Sequence, residues 1–218
     1  MNNPKILIAL PMLSTVDARF MSSLMGIQRI GTVRMALEID SLVYMARNKL
    51  ALKAIMEEFD YIFFIDSDEE FKPDTLVKLY ETAQQGKDYV TGLYFKRTFP
   101  TEPVIQKRIE WERDKETGKI NVVADTYTDY PRDSVFEIEG SGLGCTLIKT
   151  DIIKKVVQKF AISAFDPLPS FGEDFSFCWR LKQLGIKMWC DSRVKVGHIG
   201  TFVYDEDSYL KQLKEGDL

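Results

Sequence analysis

The segment Tyr61–Asp68, reading YIFFIDSD, constrains this chain more than any other. Five apolar residues, Tyr61–Ile65, stop abruptly at Asp66 and Asp68. A run of that length and β-rich makeup reads as a strand buried on both faces, the kind found inside a parallel sheet. In open α/β sheets the carboxyl ends of such strands border the ligand crevice. Residues two apart in an extended backbone point the same way, so Asp66 and Asp68 present both carboxylates to one place. Glu69 and Glu70 follow at once, which crowds four acids into positions 66–70. Such crowding is unfavourable unless the acids are well solvated or a cation sits among them. An aspartate after a strand also suits a turn or a helix cap, here for a helix starting near Pro73. Two of them behind so apolar a strand favour a divalent metal holding a phosphorylated ligand, because paired carboxylates plus substrate phosphates commonly hold magnesium-type ions.

The rest of the composition narrows the class. A chain of 218 residues, 45% hydrophobic and 28% charged, is ample for one soluble three-layer domain, expected to span 1–218. Its net charge of −4 disfavours broad binding to nucleic acid or anionic lipid. The apolar stretch from Ile6 to Leu13 is too short to span a bilayer and lacks the flanks of a signal peptide, so no integral membrane segment is expected. Cys145, Cys178 and Cys190 are odd in number and show no Cys-x-x-Cys spacing. That disfavours a disulfide framework or zinc cluster and fits a cytoplasmic setting.

Along the chain, strands are expected at 5–10, 32–38, 61–65 and 89–94, with helices at about 42–58 and 73–85. This alternation predicts an α/β fold with a mainly parallel central sheet flanked by helices. From about 96 to 133 the rhythm breaks: three prolines, a Lys-Glu-Thr-Gly turn and short alternating segments predict a β-hairpin-rich insertion. Trp111, Tyr127 and Tyr130 in that insertion offer aromatic faces either for a ligand or for a small satellite core. Strands are expected next at 135–139 and 145–149, around the glycine-rich Gly140–Gly144. Amphipathic helices are expected at 151–160 and 174–184, and short strands at 186–190 and 193–196. A polar tail is expected over 204–218.

Three further features carry chemistry. Gly172-Glu173-Asp174 opens a helix, where an acid gains from capping and the helix dipole, or serves as a general base aimed into the crevice. His198, the sole histidine, stands between glycines in Val196–Gly200 and suits either a packed residue or a ligand. Arg47-Asn48 lies on the helix before the acidic strand, where an arginine pairs with phosphate or carboxylate, or faces solvent.

In this order the motifs resemble the GT-A glycosyltransferases, nucleotide-sugar enzymes with a Rossmann-like sheet, over roughly Lys5 to Gly200. The resemblance implies a Rossmann-like GT-A fold. It implies that Asp66-Ser67-Asp68 is the D-x-D that binds the metal and, through it, the donor diphosphate. It implies that Asp174 is the catalytic base, with Glu173 beside it, and that His198 joins Asp66 and Asp68 on the metal. Pro11 and Ser14 then fall in the loop lining the nucleotide base, Arg47 and Asn48 on a helix touching the nucleotide, and Gly142 and Gly144 beneath the donor sugar. The first loop, Leu10–Ser14, lacks the Tyr-Asn-Glu typical of the large inverting group.

The activity so implied is a Mn²⁺- or Mg²⁺-dependent, hexosyltransferase-type transfer from a nucleoside-diphosphate sugar, with UDP-sugar favoured, to a hydroxyl on a glycan, protein or modified base. Two alternatives use the same residues: a haloacid dehalogenase-like phosphohydrolase built on Asp66 and Asp68, and a non-catalytic nucleotide-sugar-binding domain. The phosphohydrolases carry their aspartate pair on the first strand, whereas about sixty residues precede it here.

Overall fold

The structure, a computed structural model, describes residues 3–200 and 203–215. The chain opens with strand β1 (Lys5–Met12), helix α1 (Ala18–Gly26), strand β2 (Thr32–Ile39), helix α2 (Val43–Met56) and strand β3 (Tyr61–Ile65). A two-residue strand β4 (Glu69–Glu70), helix α3 (Thr75–Ala83) and strand β5 (Tyr89–Leu93) follow. The hairpin region contributes β6 (Ile105–Arg113) and β7 (Ile120–Thr126), and the chain returns through β8 (Val135–Ile138), β9 (Gly140–Ser141) and β10 (Cys145–Lys149). Helices α4 (Thr150–Phe160) and α5 (Glu173–Gln183) precede β11 (Met188–Lys195), β12 (Gly197–Ile199), β13 (Val203–Tyr204) and helix α6 (Glu206–Glu215).

Seven strands form the central sheet in the order β2-β1-β3-β10-β5-β11-β8. Five of them run the same way, while β10 and β8 are antiparallel to their neighbours. The period of two sorts each central strand onto two cores. On β3, Ile62 and Phe64 face one side while Phe63 and Ile65 face the other; on β1, Leu7 and Ala9 oppose Ile6, Ile8 and Leu10. The first side is covered by Leu50 and Ala54 of α2, Ile152 and Val156 of α4, and Phe177 and Leu181 of α5. The second is covered by Phe20 and Leu24 of α1 and by Leu76 and Leu79 of α3. This is the expected α/β architecture with helices on both faces of a mostly parallel sheet.

Local sequence sets the ends of the helices. The Asp17 side chain accepts the Arg19 N–H at 2.8 Å and so caps α1, while α4 stops at Ala161 in the left-handed region (φ 52°). Helix α1 itself was not foreseen. The final strands, expected as two short pieces, form the single strand β11 with an irregularity between Asp191 and Lys195. The expected polar tail extends past the described residues at 216–218; its described part instead forms α6. That helix docks through Tyr209, whose ring lies 5.3 Å from Phe95 and 6.3 Å from Tyr130, and through Gln212, which accepts the Thr101 N–H at 2.7 Å.

The hairpin β6–β7 realises the expected insertion and joins β9 in a three-stranded sheet. Its aromatics join the main core on the first side of the sheet and form no separate one: Tyr130 belongs to that core, and Trp111 and Tyr127 pack against it. Trp111 donates to the Pro169 carbonyl at 2.9 Å and meets Trp179 edge-on at 5.5 Å. Tyr127 packs on Phe136, and the buried Tyr130 stacks between Phe136 and Tyr209.

Phe165 is wholly buried, 5.3 Å from Phe64 and 4.5 Å from Phe177, and so ties the loop after α4 to the sheet and to α5. Phe165→Ala is expected to cost about 3–5 kcal/mol of stability. Urea denaturation checks this: the midpoint falls while the slope stays unchanged.

Candidate active site

The site forms where the carboxyl end of β3 meets the start of α5 and the backtracking chain at β12. Arg47, on α2, is almost fully buried, with its side chain only 3% exposed. Its Nη2 donates to both oxygens of Asp66, at 2.9 and 3.1 Å, and its Nε donates to Glu173 Oε1 at 3.2 Å. The Phe64 ring lies 5.3 Å from the guanidinium. Burial works against the arginine's charge, but the Asp66 and Glu173 carboxylates outweigh it and hold its pKa above the usual value. Asp66 and Glu173 are thereby tied to a cation supplied by the protein itself.

Asp68 points elsewhere. It pairs with Arg97 at 3.0 Å and faces His198 Nε2 at 3.4 Å. Burial raises its pKa, but His198 and Arg97 outweigh that and keep the carboxyl below its ordinary value. His198 reaches it because β12 pairs antiparallel with β4, placing His198 opposite Glu69, while the Ile199 N–H donates to the Asp68 carbonyl at 2.7 Å. His198 Nδ1 lies 2.8 Å from the Phe95 carbonyl. A carbonyl only accepts, so Nδ1 carries a proton, and the lone pair that a metal would need comes from Nε2, the nitrogen facing Asp68.

Glu69 completes this cluster. It is fully buried, and neither carboxylate oxygen has a hydrogen-bond partner. Burial, reinforced by the Asp66 and Asp68 charges, pushes its pKa well above the ordinary range. One ligand atom from each of Asp68, Glu69 and His198 lies within 4.8 Å of the others. This donor set fits a divalent cation: two carboxylates, a ring nitrogen oriented through its other nitrogen, and buried oxygens with no competing donor. The sequence reading grouped Asp66, Asp68 and His198; the structure brings Asp68 and His198 together with Glu69, while Asp66 is committed to Arg47. Glu69 had been counted among the crowded acids without a role, because nothing in the sequence says which neighbour turns inward.

Asp174 lies in the first turn of α5, and its Oδ1 accepts the Phe175 N–H at 2.7 Å. Burial, followed by the Glu173 charge, raises its pKa to about 6. It lines a cleft of about 310 Å³ together with Arg47, Asp66, Tyr94, Gly142, Glu173 and His198. Opposite it runs the glycine strip. A Cβ on Gly142 would stand 2.1 Å from the Tyr94 hydroxyl, and one on Gly144 would stand 2.6 Å from Glu69 Oε1. The Gly144 N–H donates to Tyr94 Oη at 2.9 Å, so the strip holds the buried tyrosine against the site. Tyr94, whose ring meets His198 edge-on at 5.9 Å, went unnoticed in the sequence because it ends an ordinary apolar strand.

The remaining candidates lie further out. Ser67 sits in the turn between Asp66 and Asp68. Pro11 is buried in β1, and the exposed Ser14 donates its N–H to Asp40 at 3.0 Å. The Asn48 carboxamide is used up structurally: it donates to Asp166 at 2.8 Å and accepts the Phe165 N–H at 2.9 Å. It borders a separate, larger groove of about 930 Å³ between α2 and α4. Trp111, Tyr127 and Tyr130 are not among the residues lining the cleft.

Residues 43–135, which include Arg47, Asp66, Asp68 and the hairpin β6–β7, match the family model Glycosyl transferase family 2. No curated protein matches the chain. Among solved structures, the crystal structure of A197 from STIV is similar with a TM-score of 0.60 and 19% identity, over 90% of this chain and 86% of that one. At that identity the likeness is one of fold.

The Asp174 shift has a stability consequence. Its folded pKa, about 6, lies above the ordinary 3.8. The neutral form is therefore favoured by folding, and this contribution is full below about pH 4 and lost as pH rises through 6. Relative to Asp174→Asn, which does not titrate, the wild type should lose up to about 3 kcal/mol between pH 4 and pH 7. Denaturant titrations of both proteins across that range check the difference; parallel curves would refute it.

Proposed function

We propose, for a chain with the GT-A fold that carries a glycosyltransferase family 2 segment at 43–135, that it is a metal-dependent glycosyltransferase. It moves a hexosyl group from a nucleoside-diphosphate sugar, UDP-sugar by preference, to an acceptor hydroxyl. The observation that carries this reading is that the cation-fitting group Asp68, Glu69 and His198 reaches, through His198, the cleft that the elevated Asp174 also lines. Three buried cysteines outside any disulfide fit a reducing compartment, and cytoplasmic work is part of the same proposal. Among the described residues no helix is long and apolar enough to cross a membrane.

In this reading the acceptor oxygen attacks the anomeric carbon, the bond from that carbon to the diphosphate breaks, and the acceptor proton goes to Asp174. A single displacement of this kind inverts the anomeric centre. A carboxylate with a pKa near 6 is deprotonated at neutral pH yet more basic than an ordinary aspartate, which suits proton removal. Mn²⁺ or Mg²⁺, held by Asp68, Glu69 and His198, would supply Lewis-acid stabilisation for the departing diphosphate. Arg47 fixes Asp66 and Glu173 by direct ion pairs. Arg97 adds positive charge beside Asp68. Gly142 and Gly144, by leaving room for Tyr94 and Glu69, let those side chains close up beneath the place proposed for the sugar. The phosphohydrolase alternative needs Asp66 as a nucleophile, and its bidentate pairing with Arg47 leaves it poorly suited to attack.

Two experiments test the proposal. Asp68→Asn and His198→Ala should each weaken Mn²⁺ binding, read by calorimetry, by tenfold or more, and UDP-sugar binding should weaken with it. Donor binding that persists in chelator would overturn metal dependence. Asp174→Asn should lower turnover by about 10²–10⁴-fold with donor affinity kept. In the wild type, turnover should fall as pH drops through about 6, the value at which Asp174 takes up a proton. Turnover of Asp174→Asn within tenfold of wild type would move the base elsewhere, first to Glu173.

A further inference from the structure

Gln106 stands on the wall of the same cleft with no role in the chemistry above. It is 1% exposed, and its carboxamide oxygen accepts no hydrogen bond from the protein. Buried polar side chains nearly always find partners, because the lost hydration is otherwise uncompensated. The backbone around Gln106 is not the reason. Its carbonyl accepts the Glu139 N–H at 3.0 Å, and its strand pairs regularly with Gly140 and Ser141.

The strand is bent at this point. The register of β6 against β7 shifts between Gln106 and Arg108, so Lys107 has no partner of its own. Bulges of this kind re-aim side chains and are frequent beside active sites. Here the shift separates Gln106, which is turned inward, from the exposed Lys107 and Arg108. Residues 104–106 also run alongside 140–142: Ile105 opposes Ser141, Gln106 opposes Gly140, and the Gly142 N–H donates to Val104 at 3.3 Å. Gln106 therefore rises from the strand adjoining the glycine strip assigned to the sugar. The nearby Lys96 is already engaged, with Glu102 at 2.7 Å and Thr126 at 3.4 Å.

We infer that Gln106 is a binding residue for the transferred sugar, its carboxamide pairing with ring hydroxyls. A carboxamide offers an acceptor beside a donor, and neighbouring sugar hydroxyls offer the complementary pair. A site with such a group discriminates strongly, because a ligand lacking the hydroxyl leaves the amide unpaired. This inference rests on the proposed glycosyltransferase function and adds to it the side chain that reads the sugar.

The test compares wild type with Gln106→Met, which keeps the volume and removes the polar atoms. Each is titrated calorimetrically in Mn²⁺ with UDP, UDP-glucose, UDP-galactose and UDP-N-acetylglucosamine. The wild type should bind at least one sugar nucleotide more tightly than UDP. Gln106→Met should bind UDP within twofold of wild type and that sugar nucleotide about tenfold more weakly. Its melting temperature should stay the same or rise, because an unpaired buried amide is gone. Gln106→Asn, which withdraws the amide by one methylene, should show the same selective loss and serves if the methionine variant fails to fold. Wild-type affinity for the sugar nucleotide in the variants, or an equal loss for UDP, would overturn the inference. A wild-type protein that binds UDP but none of its sugars more tightly would overturn it as well. A wild-type protein that binds none of the four would overturn the functional reading itself.

Discussion

One buried guanidinium organises the cleft at the carboxyl end of β3. Arg47 has left water almost completely, and a charge in that position is tolerated only with close, well-oriented partners. Its two partners, Asp66 and Glu173, come from elements far apart in the chain, the end of β3 and the start of α5. The arginine therefore locks helix α2 to both. It also divides the acids by role. Asp66 and Glu173 neutralise it, which leaves Asp68, Glu69 and Asp174 without that partner. Those three are the carboxylates assigned to the cation and to the acceptor proton in the proposed mechanism.

Chain geometry supplies the rest of the site. A late histidine reaches an early aspartate only because two residues of β4 accept β12 as a neighbour, in a register that sets His198 opposite Glu69. The Phe95 carbonyl then decides which ring nitrogen faces the acids. The glycine strip between β9 and β10 lets Tyr94 and Glu69 occupy space that any larger residue would fill. Distant segments are held at ångström precision by backbone pairing, and loops would not hold them so well.

Much of this was legible in the sequence where one physical signal dominated. Tyr61–Ile65 and Cys145–Lys149 form strands with the bounds expected, because each is an apolar run closed by polar residues. The acids at 66 and 68, the pair at 173 and 174, and His198 do converge on one region. What escaped depends on partners remote in sequence. Helix α6 reads as a polar tail because, among its residues whose burial is described, only Glu206, Tyr209 and Gln212 are buried. The reversed direction of β10 lies in its antiparallel pairing with both β3 and β5, which composition does not encode. That Asn48 fastens the Phe165–Asp166 loop, that Glu69 turns inward, and that Arg47 claims Asp66 are all consequences of packing between elements.

Polar imbalance in the interior points to the same place. Among the described residues, buried side-chain polar atoms without partners occur on Arg47, Glu69, Gln106, Ser134 and Thr150. The first three surround the cleft or the cation-fitting group; the other two are isolated hydroxyls. A hydroxyl is the cheapest group to leave unpaired, whereas a carboxylate or guanidinium nitrogen is among the most costly. Such costs persist in a fold when something outside the apo protein removes them, and the three groups ask for different things. The Glu69 oxygens need a cation, the remaining Arg47 nitrogen needs an acceptor, and the Gln106 amide oxygen needs a donor such as a hydroxyl. A metal-bound sugar diphosphate presents all three in one ligand, which is why the pattern of unmet polar demand agrees with the geometry of the proposed donor site.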